Sequence, residues 1–177
     1  QNPYVTEYLI YPMGFNLATF AFSPFLASLW IPLSWIVTPI AAYNLVVLVT
    51  IVLCCVAMDQ LVRYLTGNPW AALVAGISFG FAPVLAGQRA SHLNLSVLAW
   101  IPWAALFLTR LMRGARVRDA VLLAVAILLA FLTRLHVGVL VVMFLAAYFV
   151  GLLVVDRKLW RRKPLSRLVV AGLLSLI

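Results

Sequence analysis

The sequence predicts an all-α protein: a polytopic transmembrane helical bundle of about six spans, preceded by an N-terminal outer loop with an interfacial or re-entrant helix. Hydrophobic residues make up 66% of the chain and charged residues 10%, whereas soluble domains are about 45–50% apolar and about 25% charged. Apolar stretches long enough to cross a bilayer recur along the chain. Short basic loops separate them, as in multi-span membrane proteins. Together these observations exclude a soluble globular domain.

The net charge of +9 is concentrated in those loops. In a soluble protein this charge would indicate nucleic acid binding, but basic residues that border apolar stretches set membrane orientation instead. We therefore expect the lipid bilayer as a partner and no nucleic acid. Cys54 and Cys55 are adjacent in an apolar run without metal-ligand spacing, which favours a packing or lipid-facing role.

Residues 1–39 are interpreted as an outer loop with an interfacial helix, and residues 40–177 as the transmembrane bundle. Residues 18–37 are long enough to span, but their prolines and the tryptophans Trp30 and Trp35 fit a helix in the membrane interface better. The chain begins at Gln1 and ends in an apolar stretch without a cap. We therefore expect an internal fragment, truncated at both ends, of a larger membrane protein.

Five predicted spans follow, and a sixth begins near Ser166. The five cover residues 40–65, 69–85, 93–112, 120–132 and 137–155. Between the first two, Gly67, Asn68 and Pro69 supply a left-handed helix stop, an N-cap and a first-turn proline.

Two spacings within these spans predict local contacts. Asp59 and Arg63 are four residues apart and are expected to pair. The small residues Ala72, Gly76 and Gly80 recur every four residues, which lets another helix approach closely.

Orientation follows from counting basic residues on alternate sides of the spans. Eleven of the 13 Lys and Arg residues fall on one side, and only Arg89 and Arg134 fall on the other. The positive-inside rule places the basic loops in the cytoplasm. Residues 1–39 and 86–92 are then on the outer face of the inner membrane.

A short polar segment, residues 86–96, interrupts the apolar runs on this outer face. It carries Arg89, His92 and Asn94, and the next outer turn carries Arg134 and His136. Arginine matches phosphate with a rigid fork of donors, and histidine adds a donor or moves a proton. These five residues are the predicted phosphate-binding site. Simple anchoring of the arginines at lipid headgroups is the alternative.

Several short motifs carry a resemblance to a known family. In chain order they are Tyr11-Pro12-Met13-Gly14, Ala42-Tyr43-Asn44-Leu45, Arg63-Tyr64-Leu65-Thr66-Gly67, Trp70-Ala71-Ala72, Phe81-Ala82-Pro83, Ser91-His92-Leu93-Asn94 and Trp100-Ile101-Pro102. As a set they resemble bacterial integral-membrane glycosyltransferases of the GT-C superfamily, of the dolichyl-phosphate-mannose mannosyltransferase type. The resemblance covers most of residues 1–113.

This resemblance implies hexosyl transfer from a polyprenyl-phosphate-linked sugar donor on the outer face. It also implies an acidic general base or metal ligand in the first outer loop. Glu7 is the acid that this sequence has in a comparable loop and is the catalytic candidate. The usual acidic pair, and any divalent metal it holds, would belong to residues outside this fragment; no metal ligands are assigned here.

Two other classes of protein stay open. A transporter or flippase would use the same arginines for an anionic or lipid-linked substrate, and an O-antigen ligase or polymerase would need them for a lipid pyrophosphate. A transporter is expected to have polar or broken helices near the middle of the membrane. The predicted spans are nearly free of buried charge, which favours chemistry at the membrane surface.

Overall fold

The computed structural model describes residues 5–6, 14–16, 23–114 and 116–155. Within these ranges the chain is helical apart from two short antiparallel strands, β1 (Val5–Thr6) and β2 (Phe15–Asn16). The helices are α1 (Pro24–Ser34), α2 (Pro39–Thr66), α3 (Pro69–Gly80), α4 (Pro83–Ser91), α5 (Leu93–Ser96), α6 (Trp100–Gly114), α7 (Val117–Thr133) and α8 (Leu135–Val155).

Three stretches of the described chain are long and apolar enough to cross a membrane: α2, α8 and the Leu93–Gly114 stretch that comprises α5 and α6. A fourth is obtained if α3 and α4, which meet at a bend of 40°, count as one span. The protein is therefore a membrane-embedded helical protein. The expected six spans are not confirmed, and the sixth, from Ser166, lies outside the described residues.

Two predicted segments prove shorter than a span. Helix α7 covers the predicted fourth span, but its 17 residues reach only about 26 Å at the usual helical rise. Helix α1 has 11 residues, or about 17 Å, against about 30 Å of hydrocarbon. Helix α1 alone is therefore too short to cross the hydrocarbon core, and the interfacial placement of residues 18–37 stays a prediction.

Prolines start the first four helices, at Pro24, Pro39, Pro69 and Pro83. A proline suits this position because its missing N–H would have no partner in the first turn anyway. Three of these helices also have a capping side chain at the preceding residue: Ser23, Thr38 and Asn68.

The predicted corner between α2 and α3 is confirmed. Gly67 has a φ of 69°, and its N–H donates to the Arg63 carbonyl at 2.9 Å. The Asn68 side chain accepts from the Trp70 and Ala71 amides at 2.9 and 3.2 Å. The predicted Asp59–Arg63 ion pair is also present, at 2.9 Å.

The small-residue spacing on α3 brings its backbone against α2. Ala72, Gly76 and Gly80 are all buried. A Cβ at Gly76 would lie 2.7 Å from the Cys55 carbonyl oxygen, and one at Gly80 would overlap the Cys55 sulfur. Any larger side chain would push the two helices apart, so this close approach depends on both glycines.

A second packing unit is formed by α6, α7 and α8. Its fully or nearly fully buried side chains include Leu108, Leu111, Met112, Leu123 and Val141. Helix α2 packs on α6, where the Trp103 indole donates to Gln60 Oε1 at 3.0 Å. The two units thus form one bundle with α1 across one end.

The predicted second span is not a straight helix. Helix α3 ends at Gly80 and the chain resumes as α4 at Pro83 with a 40° bend. Proline disfavours the helical conformation at the residue before it, and Ala82 has φ −52° and ψ 134°. The predicted third span is likewise interrupted, because α5 ends at Ser96 and α6 begins at Trp100.

Candidate functional site

A cavity of about 560 Å³ lies where α1, the first turns of α2, the α4–α5 turn and the α7–α8 turn meet. Its lining residues are Ser23, Leu26, Ala27, Trp30, Tyr43, Val46, His92, Leu93, Asn94 and Arg134. Three of the five predicted phosphate-binding residues, His92, Asn94 and Arg134, are therefore brought together. Their functional role stays a prediction.

The α4–α5 turn positions His92 and Asn94. Helix α4 ends because His92 adopts φ −141° and ψ 66°. Its N–H still donates to the Gln88 carbonyl at 2.6 Å, and its carbonyl accepts from the Leu95 amide at 2.8 Å. This one non-helical residue redirects the chain, so that His92 is exposed and the next residue, Leu93, is buried.

Arg134 occupies the equivalent place between α7 and α8. Its backbone is extended, with φ −169° and ψ 141°, and its N–H donates to the Ala130 carbonyl at 3.1 Å. The preceding residue, Thr133, is fully buried and accepts a hydrogen bond from the Trp100 indole at 2.9 Å. This bond fixes the turn against the start of α6.

One contact joins Arg134 to the α4–α5 turn. Its Nη1 donates to Asn94 Oδ1 at 3.5 Å, which is the long limit for a hydrogen bond. The two residues are 40 positions apart in the chain. The contact places a cation and an amide side by side on the cavity wall.

Helix α1 forms the apolar wall of the cavity. Its Phe25 ring meets the buried Trp100 ring edge-on, with 5.1 Å between centroids. The Trp30 indole donates to the Pro39 carbonyl at 3.3 Å. Because Trp100 also binds Thr133, one side chain holds both α1 and the Arg134 turn in place.

Arg89 is not one of the residues that line the cavity. Its side chain is 8% exposed, and its Nη2 donates to the Gly80 carbonyl at 2.6 Å. That carbonyl is the last of α3, so the guanidinium satisfies a helix C-terminus, where a positive charge is favourable. Of the predicted phosphate-binding residues, Arg89 is thus absent from the cavity lining, and its side chain has a structural partner.

His136 and Glu7 do not join the site either. His136 is exposed in the first turn of α8 and is not among the cavity residues. Glu7, the predicted catalytic acid, lies outside the described residues. In the part of the chain that the structure describes, no group of three or more His, Cys, Asp or Glu side chains is placed to hold a metal ion.

Sequence reasoning missed the residues that α1 and α2 contribute. Tyr43 is the clearest of them, because it lines the cavity while its hydroxyl donates to the Arg89 carbonyl at 3.3 Å. A tyrosine hydroxyl in the first turns of a largely apolar helix was the available signal. Trp30 gave no signal beyond its interfacial preference.

The cavity is amphiphilic. Leu26, Ala27, Val46 and Leu93 form apolar wall, whereas Arg134, Asn94 and His92 present donors from the two turns. Arginine provides charge-assisted hydrogen bonds to an anion, and the apolar wall suits a hydrocarbon chain. The chemistry matches a ligand with an anionic head and an apolar tail.

The opposite end of the bundle is basic. Tyr64 on α2 lies 5.0 Å from the Arg110 guanidinium and 5.8 Å from that of Arg113, measured to the ring centroid. Along α2, Tyr43 and Tyr64 are separated by about 30 Å, which is the thickness of the hydrocarbon core. In the described chain, the basic loop residues and the cavity therefore lie at opposite ends.

These features define the class of protein as a membrane-embedded helical bundle with an amphiphilic cavity at one end. Its family is not shown by similarity, because no family model, no curated protein and no solved structure matches the chain.

Proposed function

We propose that the protein is part of a membrane glycosyltransferase that takes a sugar from a polyprenyl-phosphate-linked donor. One observation carries the proposal: a single cavity combines Arg134, Asn94 and His92 with an apolar wall. A polyprenyl phosphate is an anion on a long hydrocarbon chain, so its two parts match the two parts of the cavity. The family resemblance adds the sugar-transfer chemistry.

In this proposal, Arg134 binds the donor phosphate and stabilises the charge that develops on it as the sugar leaves. His92 supplies a second donor to the phosphate oxygens, and Asn94 orients the guanidinium through the contact at 3.5 Å. The resemblance assigns activation of the acceptor to an acid of the first outer loop, where Glu7 is the candidate. Arg89 contributes by stabilising the α3–α4 bend and does not contact the substrate.

The proposed setting is the inner membrane, with the basic loops in the cytoplasm and the cavity on the outer face. Support comes from the separation of charge along the bundle. Among the described basic residues, Arg63, Arg110, Arg113, Arg116 and Arg118 lie at the end opposite the cavity. By the positive-inside rule this end is cytoplasmic.

One observation favours a second candidate, a transporter or flippase of an anionic or lipid-linked substrate. The α3–α4 stretch is broken by 40°, and the buried Arg89 binds the carbonyl at the break. Discontinuous helices near the middle of the membrane are typical of transporter sites. The two candidates differ in outcome, since a transferase cleaves the donor and a transporter moves it intact.

The test uses the full-length protein in lipid nanodiscs, a radiolabelled polyprenyl-phosphate hexose and the matched neutral polyprenol. We expect the phosphate-bearing lipid to bind and the polyprenol to bind much more weakly. Loss of a charge-assisted hydrogen bond costs about 1.5–3 kcal/mol, so Arg134→Gln is expected to weaken donor binding about 10- to 150-fold. Arg110→Gln makes the same charge change at the other end and serves as the matched control.

Sugar release in the same samples separates the two candidates. Release of the labelled hexose to an acceptor or to water supports the transferase. Binding without release, together with movement of the intact donor across proteoliposome membranes, favours the transporter. Equal binding of polyprenol and polyprenyl phosphate, or equal losses in Arg134→Gln and Arg110→Gln, would contradict the proposed phosphate site.

A further inference from the structure

A second pocket lies at the basic end of the bundle, where the α6–α7 hairpin meets the last turns of α2. Its volume is about 430 Å³, within the range of about 300–1,000 Å³ that is typical of small-molecule sites. Four arginines line it, Arg110, Arg113, Arg116 and Arg118, against one carboxylate. The proposed sugar transfer at the other end of the bundle makes no use of this pocket.

Two of the four arginines lie beside one aromatic ring. The guanidinium carbons of Arg110 and Arg113 lie 5.0 and 5.8 Å from the centre of the Tyr64 ring. Both distances are within the range of a cation–π contact. Tyr64 therefore holds two like charges in one place, and an anion that contacts both would offset their repulsion. Guanidinium forks match phosphate oxygens in particular.

The single carboxylate in the pocket offsets only a small part of the positive charge of the four arginines. Asp119 is 7% exposed in the first turn of α7. Asp119 is the one carboxylate among the lining residues, against four arginines. The lining side chains thus carry an excess of three positive charges. Such a pocket is suited to a phosphate-bearing ligand.

A stripe of exposed apolar side chains starts beside the pocket and runs down α7. The members of this α7 stripe are Val117, Val121, Val125 and Leu128, with exposed fractions of 67%, 43%, 42% and 45%. Residues spaced three and four apart share one face of a helix. The face is long enough to lie along a hydrocarbon chain, and it begins next to Arg116 and Arg118. A soluble phosphate would make no use of it.

We infer that the basic pocket binds the phosphodiester headgroup of an anionic phospholipid, such as phosphatidylglycerol, while an acyl chain lies along the α7 stripe. Basic pockets between transmembrane helices are known to select anionic headgroups. Free glycerol phosphate also carries an anionic phosphate group that the arginines could bind. It has no acyl chain to lie along the α7 stripe, so the stripe favours the lipid as the ligand. This site is independent of the proposed sugar transfer.

The experiment is native mass spectrometry of the full-length protein, delipidated in detergent and titrated with phosphatidylglycerol or phosphatidylcholine. The variants are Arg116→Gln, Arg118→Gln and the pair together; both residues are exposed, so the core is untouched. Arg63→Gln is the matched control, because it removes one charge at the same end but outside the pocket. Free glycerol phosphate is added as a competitor.

We expect the wild-type protein to retain phosphatidylglycerol in preference to phosphatidylcholine. The loss is expected to be about fivefold for each arginine and about 25-fold for the pair, with less than about a twofold change in Arg63→Gln. Glycerol phosphate at the lipid's concentration is expected not to displace it. Equal retention of both lipids, equal losses in the control, or displacement by glycerol phosphate would each overturn the inference.

Discussion

The two ends of the bundle collect positive charge in opposite ways. At the cavity end, a single arginine, Arg134, lines the cavity beside the neutral Asn94, and four separate parts of the chain supply the wall. At the basic end, four arginines from one helix hairpin line a pocket together with Tyr64. The cavity depends on long-range packing, whereas the basic pocket is nearly local in sequence. Changes in the core are therefore expected to damage the first and spare the second.

The largest expected effect is that of Trp100→Ala. Trp100 is 3% exposed, contacts Phe25 edge-on and donates to Thr133. Truncation of a buried Trp typically costs about 3–5 kcal/mol. We expect a large drop in thermal stability in detergent and loss of polyprenyl-phosphate binding. Trp35→Ala is the control, since that side chain is 81% exposed.

A milder variant, Trp100→Phe, keeps an aromatic ring but replaces the indole with a smaller phenyl group and so removes the N–H that binds Thr133. We expect it to cost about 0.5–1.5 kcal/mol and to weaken donor binding while phosphatidylglycerol retention at the basic end stays unchanged. If Trp100→Phe reduced retention at the basic end as much as donor binding at the cavity, the two ends would not be independent, and the comparison would fail.

An intermediate effect is expected for Arg89→Leu. The Arg89 guanidinium donates to the Gly80 carbonyl at 2.6 Å and lies outside the cavity. Removing it leaves a buried helix-terminal carbonyl without a donor, at a cost of about 1–3 kcal/mol. We expect a lower melting temperature with donor affinity reduced less than threefold, the reverse of Arg134→Gln. If Arg89→Leu kept the stability of the wild-type protein but lost donor binding, Arg89 would instead belong to the phosphate site.

The local features of the fold were predictable from sequence. Gly67, Asn68 and Pro69 specify the α2–α3 corner because each has a backbone preference that acts within a few residues. The four-residue spacing of Gly76 and Gly80 predicted close helix packing for a similar reason, although it did not identify α2 as the partner. The resemblance to a glycosyltransferase family is a separate matter and stays a prediction.

The long-range features were not predictable in the same way. Arg89 and Arg134 look equivalent in sequence, since each is the lone arginine of a turn that is predicted to be on the outer face. They differ because α3 breaks before Pro83, which leaves the Gly80 carbonyl within reach of Arg89. Arg134 instead meets Asn94 across 40 residues of chain. A count of spans overlooks both outcomes, because it treats each apolar stretch as a straight helix.

The smallest expected effect is that of Gly114→Leu, which tests the shape of the basic pocket without changing its charge. Gly114 lines the pocket, and a Cβ there would meet no other atom within 4 Å. The added side chain occupies space near the arginines, and we expect phosphatidylglycerol retention to fall about threefold with unchanged stability. Gly87→Leu is the matched control, since a Cβ there also meets open space and the residue lies on α4, outside the basic pocket. Because all four arginines stay in place, unchanged retention in Gly114→Leu would mean that charge alone, and not an enclosed pocket, attracts the lipid at this end.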